Sequence, residues 1–279
     1  MMRLSCIPVS FFAPISQGQM TLAEWMDFAV ELGLDGIECG PLLVKPLGPT
    51  TPAEFRRLAE GRGLAVSNYT GYSDFAHPEP EARKRELAAL LKNLEVAREV
   101  GAPSVRALTG QQWPGVNQEK GLHWVVDGIR QGAEKADRMG LRLNVENHTK
   151  AATWTHFDFA MQGEVFLRVM EGLRDVPVGV QFDIANPLVA GEDTRALFEE
   201  VHSRIGYVHV NDVRRPGVFE FVPVGTGTAP IREVLSRLRQ QGYTGWVGIE
   251  EASRTGKQGF RQAVQYTRQA LEASRGIES

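Results

Sequence analysis

Four short apolar segments of this 279-residue chain end in side chains able to hold a metal ion. They read Leu141-Arg-Leu-Asn-Val-Glu146, Val178-Gly-Val-Gln-Phe-Asp183, Tyr207-Val-His209-Val-Asn211-Asp212 and Trp246-Val-Gly-Ile-Glu250. Alone, any one of these carboxylates has a plain reading, capping a loop or pairing with an arginine. Together, Glu146, Asp183, His209 and Glu250 predict something narrower. Three carboxylates gathered at one point repel each other unless a cation sits among them. Three hard oxygens and one imidazole suit Mn2+, Mg2+ or Co2+ with open positions better than a closed tetrahedral zinc site. Mn2+ is the first expectation, with Mg2+, Co2+ and Zn2+ as alternatives.

For these residues to meet, the segments must lie side by side, and the rest of the sequence supplies the frame. Short β-rich runs alternate with stretches of helical periodicity from end to end. The predicted strands are Arg3–Ser10, Gly36–Cys39, Ala65–Tyr69, Ser104–Leu108, Arg142–Glu146, Val178–Phe182, Tyr207–Val210 and Trp246–Glu250. The predicted helices are Leu22–Leu32, Ala53–Glu60, Glu81–Val100, Lys120–Met139, Glu164–Gly172, Arg195–Ser203, Ile231–Gln241 and Phe260–Ala273. Thr21 and Glu24 form a capping-box signature before the first helix. Gly33, Gly63, Gly101, Gly140 and Gly242 each stand where a helix must stop before a strand, a position suited to a left-handed residue. Eight strand-then-helix units with no linker predict a single (β/α)8 TIM barrel, class α/β, over residues 1–279. A doubly wound open sheet is disfavoured, because no glycine-rich dinucleotide fingerprint follows the first strand. In a barrel the long loops after the strands share one rim, where catalytic residues gather.

Composition removes several classes. Thirty-one Lys and Arg against 34 Asp and Glu give a net charge of -3, with no basic footprint for nucleic acid or an anionic membrane. Two cysteines, Cys6 and Cys39, make neither a disulfide framework nor a cysteine zinc site. No apolar run approaches the roughly 18 residues of a membrane span, and the first residues lack a signal-peptide core. A soluble, cytoplasmic protein acting on a small molecule is expected, with homo-oligomerisation left open.

The four strand ends, with Leu32-Gly-Leu-Asp-Gly-Ile-Glu38, Asn144-Val-Glu146-Asn147, Phe182-Asp183-Ile-Ala-Asn186, His209-Val-Asn-Asp212 and Gly225-Thr-Gly227, carry a resemblance across nearly the whole chain. The sequence resembles the sugar phosphate isomerase/epimerase superfamily, the xylose isomerase-like barrels that include D-tagatose 3-epimerase and hydroxypyruvate isomerase. The resemblance implies that Glu146, Asp183, His209 and Glu250 are the metal set. It also implies that Glu146 and Glu250 are the two acid/base groups on opposite faces of a ketose. One removes the proton next to the carbonyl to give an enediolate, and the other returns a proton. The implied activity is a metal-dependent isomerase or 3-epimerase of a ketose or ketose phosphate. Three departures concern the substrate: Asn186 replaces a histidine, Thr228-Ala229-Pro230 lacks the carboxylate common after the Gly-x-Gly turn, and Ala152 stands where tagatose epimerases place a glutamate.

Other residues are expected at the substrate. Arg106 ends the fourth strand, and a charge inside a barrel strand must face a polar partner or a ligand. Arg215 lies six residues after His209, where the epimerases hold an arginine. Glu38 ends the second strand, either to bind substrate or to hold another side chain. His148 follows Glu146 by two residues, and Asn186 completes the candidate contacts. Trp113, Trp154, Tyr69 and Tyr72 are rim aromatics suited either to sugar stacking or to loop packing. Two rivals share the first proton abstraction: an inosose- or dehydroshikimate-type dehydratase and a lyase on oxidised glycosides. A phosphodiesterase of the apurinic endonuclease type needs more histidines than the six present and more basic charge. A non-catalytic sugar-binding barrel would be marked by a broken metal set, whereas all four ligands are present.

Overall fold

The structure is a computed structural model and describes residues 1–273, so the last six residues of the expected domain lie outside it. Among the described residues, eight strands form one parallel sheet: β1 (Arg3–Ile7), β2 (Gly36–Cys39), β3 (Ala65–Thr70), β4 (Ser104–Ala107), β5 (Arg142–Glu146), β6 (Val178–Asp183), β7 (Ile205–Val210) and β8 (Trp246–Glu250). Neighbours run β1-β8-β7-β6-β5-β4-β3-β2, a barrel closed except for the β1–β2 seam. Around it stand α1 (Phe12–Ser16), α2 (Leu22–Glu31), α3 (Pro52–Glu60), α4 (Pro80–Val100), α5 (Gln118–Arg138), α6 (Gly163–Gly172), α7 (Asn186–Val189), α8 (Thr194–Val201), α9 (Ile231–Gln240) and α10 (Gly256–Ala273). The expected TIM barrel is the observed fold.

Local chemistry sets the element ends. Thr21 accepts the backbone N–H of Glu24 while the Glu24 carboxylate accepts the N–H of Thr21, closing the capping box of α2. Gly33, Gly63, Gly101, Gly140 and Gly242 all have φ between +66° and +83°, so each turns the chain from helix toward the next strand without a Cβ clash. β1 stops at Ile7, three residues short of the expected end. Pro8 has no N–H for the ladder, and Val9–Phe11 coils into a 3-10 turn. That turn seats the Phe11 ring 4.7 Å from Phe260 and 5.8 Å from Trp25, inside the layer between sheet and helices.

The barrel interior is the second core, and it is polar. Side chains two residues apart on a strand share a face, so Asn144 and Glu146, Gln181 and Asp183, Tyr207 and His209, and Gly248 and Glu250 all face inward. Tyr207 bridges the hydroxyls of Ser5 (2.7 Å) and Ser67 (2.9 Å) across the barrel. Gly248 provides the room: a Cβ there would collide with the Glu38 carboxylate and the Tyr207 ring.

Candidate metal centre

Strand register brings the four strand ends together. Asp183 on β6 pairs beside His209 on β7, which pairs beside Gly248 on β8, two residues before Glu250. Glu146 on β5 stands beside Gln181 on β6. One donor atom from each of Glu146, Asp183, His209 and Glu250 lies within 4.8 Å of the others. His209 is at the middle: its Nδ1 is 2.9 Å from Glu146 Oε1 and 2.9 Å from Glu250 Oε2. Its Nε2 faces the other way, 3.1 Å from both Glu38 oxygens. Glu38 is fully buried, so the structure gives it the holding role behind the histidine and no opening toward a substrate.

Arg106 donates from Nη1 to Glu146 Oε2 at 2.9 Å and from Nε to the Gly71 carbonyl at 3.2 Å. Gln181 Nε2 donates to Glu146 Oε1 at 2.9 Å, and Asn68 Nδ2 holds the Gln181 oxygen at 2.9 Å. Burial pushes the Glu146 carboxyl up, but the charges of Arg106 and His209 outweigh it and hold the group well below the usual carboxylate range. Asp183 goes the other way. Burial raises it, and the neighbouring charges of Glu250 and Glu146 raise it further. Burial alone would keep His209 neutral, yet Glu38, Glu146 and Glu250 around it lift its pKa well above the ordinary value.

The donor set fits a divalent cation. Four carboxylates (Glu38, Glu146, Asp183, Glu250) face one guanidinium and one imidazole, so the buried centre stays negative even with His209 protonated. Asp183 Oδ1 accepts the N–H groups of Ala185 and Asn186 at 2.8 Å, whereas its buried Oδ2 has no hydrogen-bond partner. A buried carboxylate oxygen without a donor is costly, and a cation removes that cost.

The remaining expected residues separate. His148 lies at the edge, its Nδ1 3.4 Å from the buried Asp158 Oδ2 and its ring edge-on to Trp154. Asp158 is positioned by the Thr109 hydroxyl and the Ala160 N–H. Asn186 binds the Asn147 carbonyl (3.1 Å) and accepts from Thr149 (3.3 Å), so it braces the loops beneath Asp183. Arg215 is exposed on the loop after β7, outside the cluster. The aromatics divide too: Trp113 donates to Asp74 at 3.0 Å within the loops, while the Tyr72 ring lies 5.0 Å from the Arg106 guanidinium.

Gln181, Asn68 and Asn147 carry roles that the sequence does not assign: Gln181 and Asn147 stand in it only as members of a strand or motif. Asn147 exchanges hydrogen bonds of 2.9 Å with the backbone of Asp183 and locks the end of β5 to that of β6. The signal for Gln181 was its spacing of two from Asp183, which puts a polar side chain on the inward face of a buried strand. Asp212, read only as part of a motif, accepts the N–H groups of Gly225, Gly227 and Ala229 and shapes the loop after β7.

A (β/α)8 barrel with a buried carboxylate–imidazole cluster at the C-terminal strand ends is the architecture of a barrel enzyme. The chain belongs to the xylose isomerase-like TIM barrel family, whose model matches residues 26–273. A putative hydroxypyruvate isomerase of Streptomyces coelicolor is 28% identical over 158 residues, 56% of this chain, and the match spans only 55% of that protein. Fructoselysine 3-epimerase of Escherichia coli O157:H7 is 22% identical over 260 residues, 89% of this chain and 90% of its own length. Among solved structures, L-ribulose 3-epimerase superposes with a TM-score of 0.82 at 16% identity, over 100% of this chain and 97% of that one. Among the described residues no helix is long and apolar enough to cross a membrane.

Proposed function

We propose that this protein is a divalent-metal-dependent isomerase or 3-epimerase of a ketose or ketose phosphate, with Glu146 and Glu250 as its two acid/base groups and an enediolate as intermediate. The observation that carries the reading is the convergence of Glu146, Asp183, His209 and Glu250 within 4.8 Å at the barrel rim. These four would hold the cation, Mn2+ first, which when bound polarises a carbonyl and acidifies the adjoining C–H. Glu146, kept ionised by Arg106, offers a carboxylate oxygen to that proton. The C–H electron pair would then form the new C=C bond while the carbonyl π pair moves onto its oxygen. Glu250, with 23% of its side chain exposed against none of Glu146, would take a proton from solvent and deliver it from the other face, and Glu146 would return the abstracted proton to solvent to close the cycle. Asp183 and His209 contribute charge and position, with Glu38 fixing the imidazole from behind. The reading includes one barrel domain over residues 1–279, a cytoplasmic setting, and no nucleic-acid or membrane partner.

Metal analysis followed by incubation with ketoses in D2O tests it. The expected result is stoichiometric divalent metal and deuterium entering next to the carbonyl, with sugar mass otherwise conserved. A product lighter by one water would assign a dehydratase instead. Absence of metal after reconstitution, or of exchange with every ketose, overturns the proposal.

A further inference from the structure

A cavity of about 400 Å3 lies between the loop after β2, the end of β3, α4 and the loop after β5. Its walls include Leu42, Val44, Leu47, Tyr69, Tyr72 and Ala152. Tyr72 joins it to the chemistry: the same ring lies against Arg106, whose guanidinium pairs with Glu146 at 2.9 Å. Ala152 stands in the loop that begins just after Glu146 and presents only a methyl group. Leu47, 68% exposed, adds a large aliphatic side chain at the mouth. A comparable groove on the outer face of α2, lined by Gln19, Glu24, Asp27, Glu31 and Lys257, belongs to the helical layer and has no such link.

An unsubstituted sugar over the four cluster residues needs hydroxyl partners, and this wall supplies mostly rings and aliphatic groups, with Asn93 and Thr153 as its uncharged polar members. An apolar cavity of about 150 Å3 is enough for a benzene ring, so the space exceeds what one aryl group needs. A phosphate is poorly served. Lys45 and Lys92 line the cavity but both are exposed, and Lys92 is 2.9 Å from Glu95. The N-terminus of α3, beyond the same loop, is already capped by Thr51.

We infer that the substrate is a keto-sugar carrying an apolar substituent, an aryl or short alkyl group on its distal oxygen, and that this group fills the cavity while the carbonyl end meets Glu146 and Glu250. The inference rests on the sugar-carbonyl reading above and adds the class of substrate. Burying such a group draws on the same area-dependent driving force as core packing.

The test uses the metal-loaded protein with a matched set: a ketohexose, its 6-O-benzyl ether and its 6-phosphate. Deuterium exchange next to the carbonyl gives kcat/KM for each. The expected result is at least a tenfold preference for the benzyl ether over both others, and a tenfold loss of that preference in Ala89→Trp. Ala89 lines the cavity from an exposed position on α4, so the larger ring fills the space without entering the core. Exchange that favours the parent sugar or the phosphate overturns the inference and leaves the proposed function standing. If no member of the set exchanges, the function proposal loses its support, and saturation-transfer NMR decides the cavity by itself. Benzyl resonances saturated with the wild-type protein but not with Ala89→Trp uphold the apolar site, and their absence with wild type overturns it.

Discussion

Glu146 and Glu250 sit 2.9 Å from the same imidazole nitrogen, yet the two sides of the rim that carry them are built differently. On the β4–β6 side, Glu146 is gripped by Arg106 and Gln181, and the strand ends are stitched together through Asn147. On the β8 side, Glu250 has His209 as its ion-pair partner and is partly open to solvent. A buried carboxylate tied at both oxygens cannot leave its place cheaply, whereas one tied at a single oxygen can rotate about its side chain. The contrast teaches that the rim holds one of its two glutamates rigidly, with Arg106 and Gln181, and leaves the other freer to move. Fold stability should therefore be invested in the first side, and motion in the second.

The most severe way to test this contrast is to neutralise each glutamate in turn. Glu146→Gln and Glu250→Gln should both lower kcat by about a thousandfold, within the range of lost acid–base groups and ligands. Their melting curves should differ. Glu146→Gln leaves Arg106 buried beside a neutral amide and lowers stability by about 3 kcal/mol, the scale of a broken buried pair, while Glu250→Gln should melt within about 1 kcal/mol of wild type. Equal losses of stability in the two variants would erase the distinction between the two sides.

Arg106→Gln probes the fixed side from its other partner. Without the guanidinium, burial of Glu146 is no longer offset by its main counter-charge, so its pKa should rise. The acid limb of the kcat/KM profile should then move to higher pH, with metal-free stability reduced by about 3 kcal/mol. An unmoved acid limb would show that Arg106 only packs.

A smaller effect sharpens the electrostatics of the whole cluster. Asp183 and His209 both have folded pKa values raised above their ordinary ones. For each, the folded chain holds a proton that the unfolded chain releases, so stability is present at lower pH and lost as pH rises toward the folded pKa. Glu146 has the opposite sign and matters only in acid. The metal-free protein should therefore lose melting temperature steadily as pH rises above the ordinary histidine pKa of about 6.5. A divalent cation at a hundred times its Kd should add about 2.7 kcal/mol and flatten that slope. A metal-free melting temperature that is constant or rises across this range would contradict the assigned charges.

Much of the frame was legible in the chain. Gly36–Cys39, Arg142–Glu146 and Trp246–Glu250 fall where alternation and apolar content put them. The repeated glycines mark helix ends because a positive φ is a local requirement that sequence alone can announce. Two short helices were not legible. α1 and α7 span five and four residues, too short for periodicity to appear. The site divides in the same way. The four cluster residues are legible because each lies at a strand end, or for His209 one residue before it, and all strands end on one rim. The roles of Arg106, Glu38 and Asn186 are not, since each depends on a partner 40, 171 or 39 residues away. Arg215 was placed by its spacing from His209, and a loop does not preserve spacing as direction.

By itself, the sequence determined the (β/α)8 order, the helix stops and which residue types gather at the strand ends, because these follow from local backbone preference and the period-two alternation of strands. Only the tertiary structure decided that Glu146 is clamped and Glu250 is open, that Asp183 keeps one oxygen unpaired, and that a largely apolar cavity shares the Tyr72 ring with Arg106. Those properties arise from the stagger of neighbouring strands and from loops that meet across the rim, and no single segment contains them.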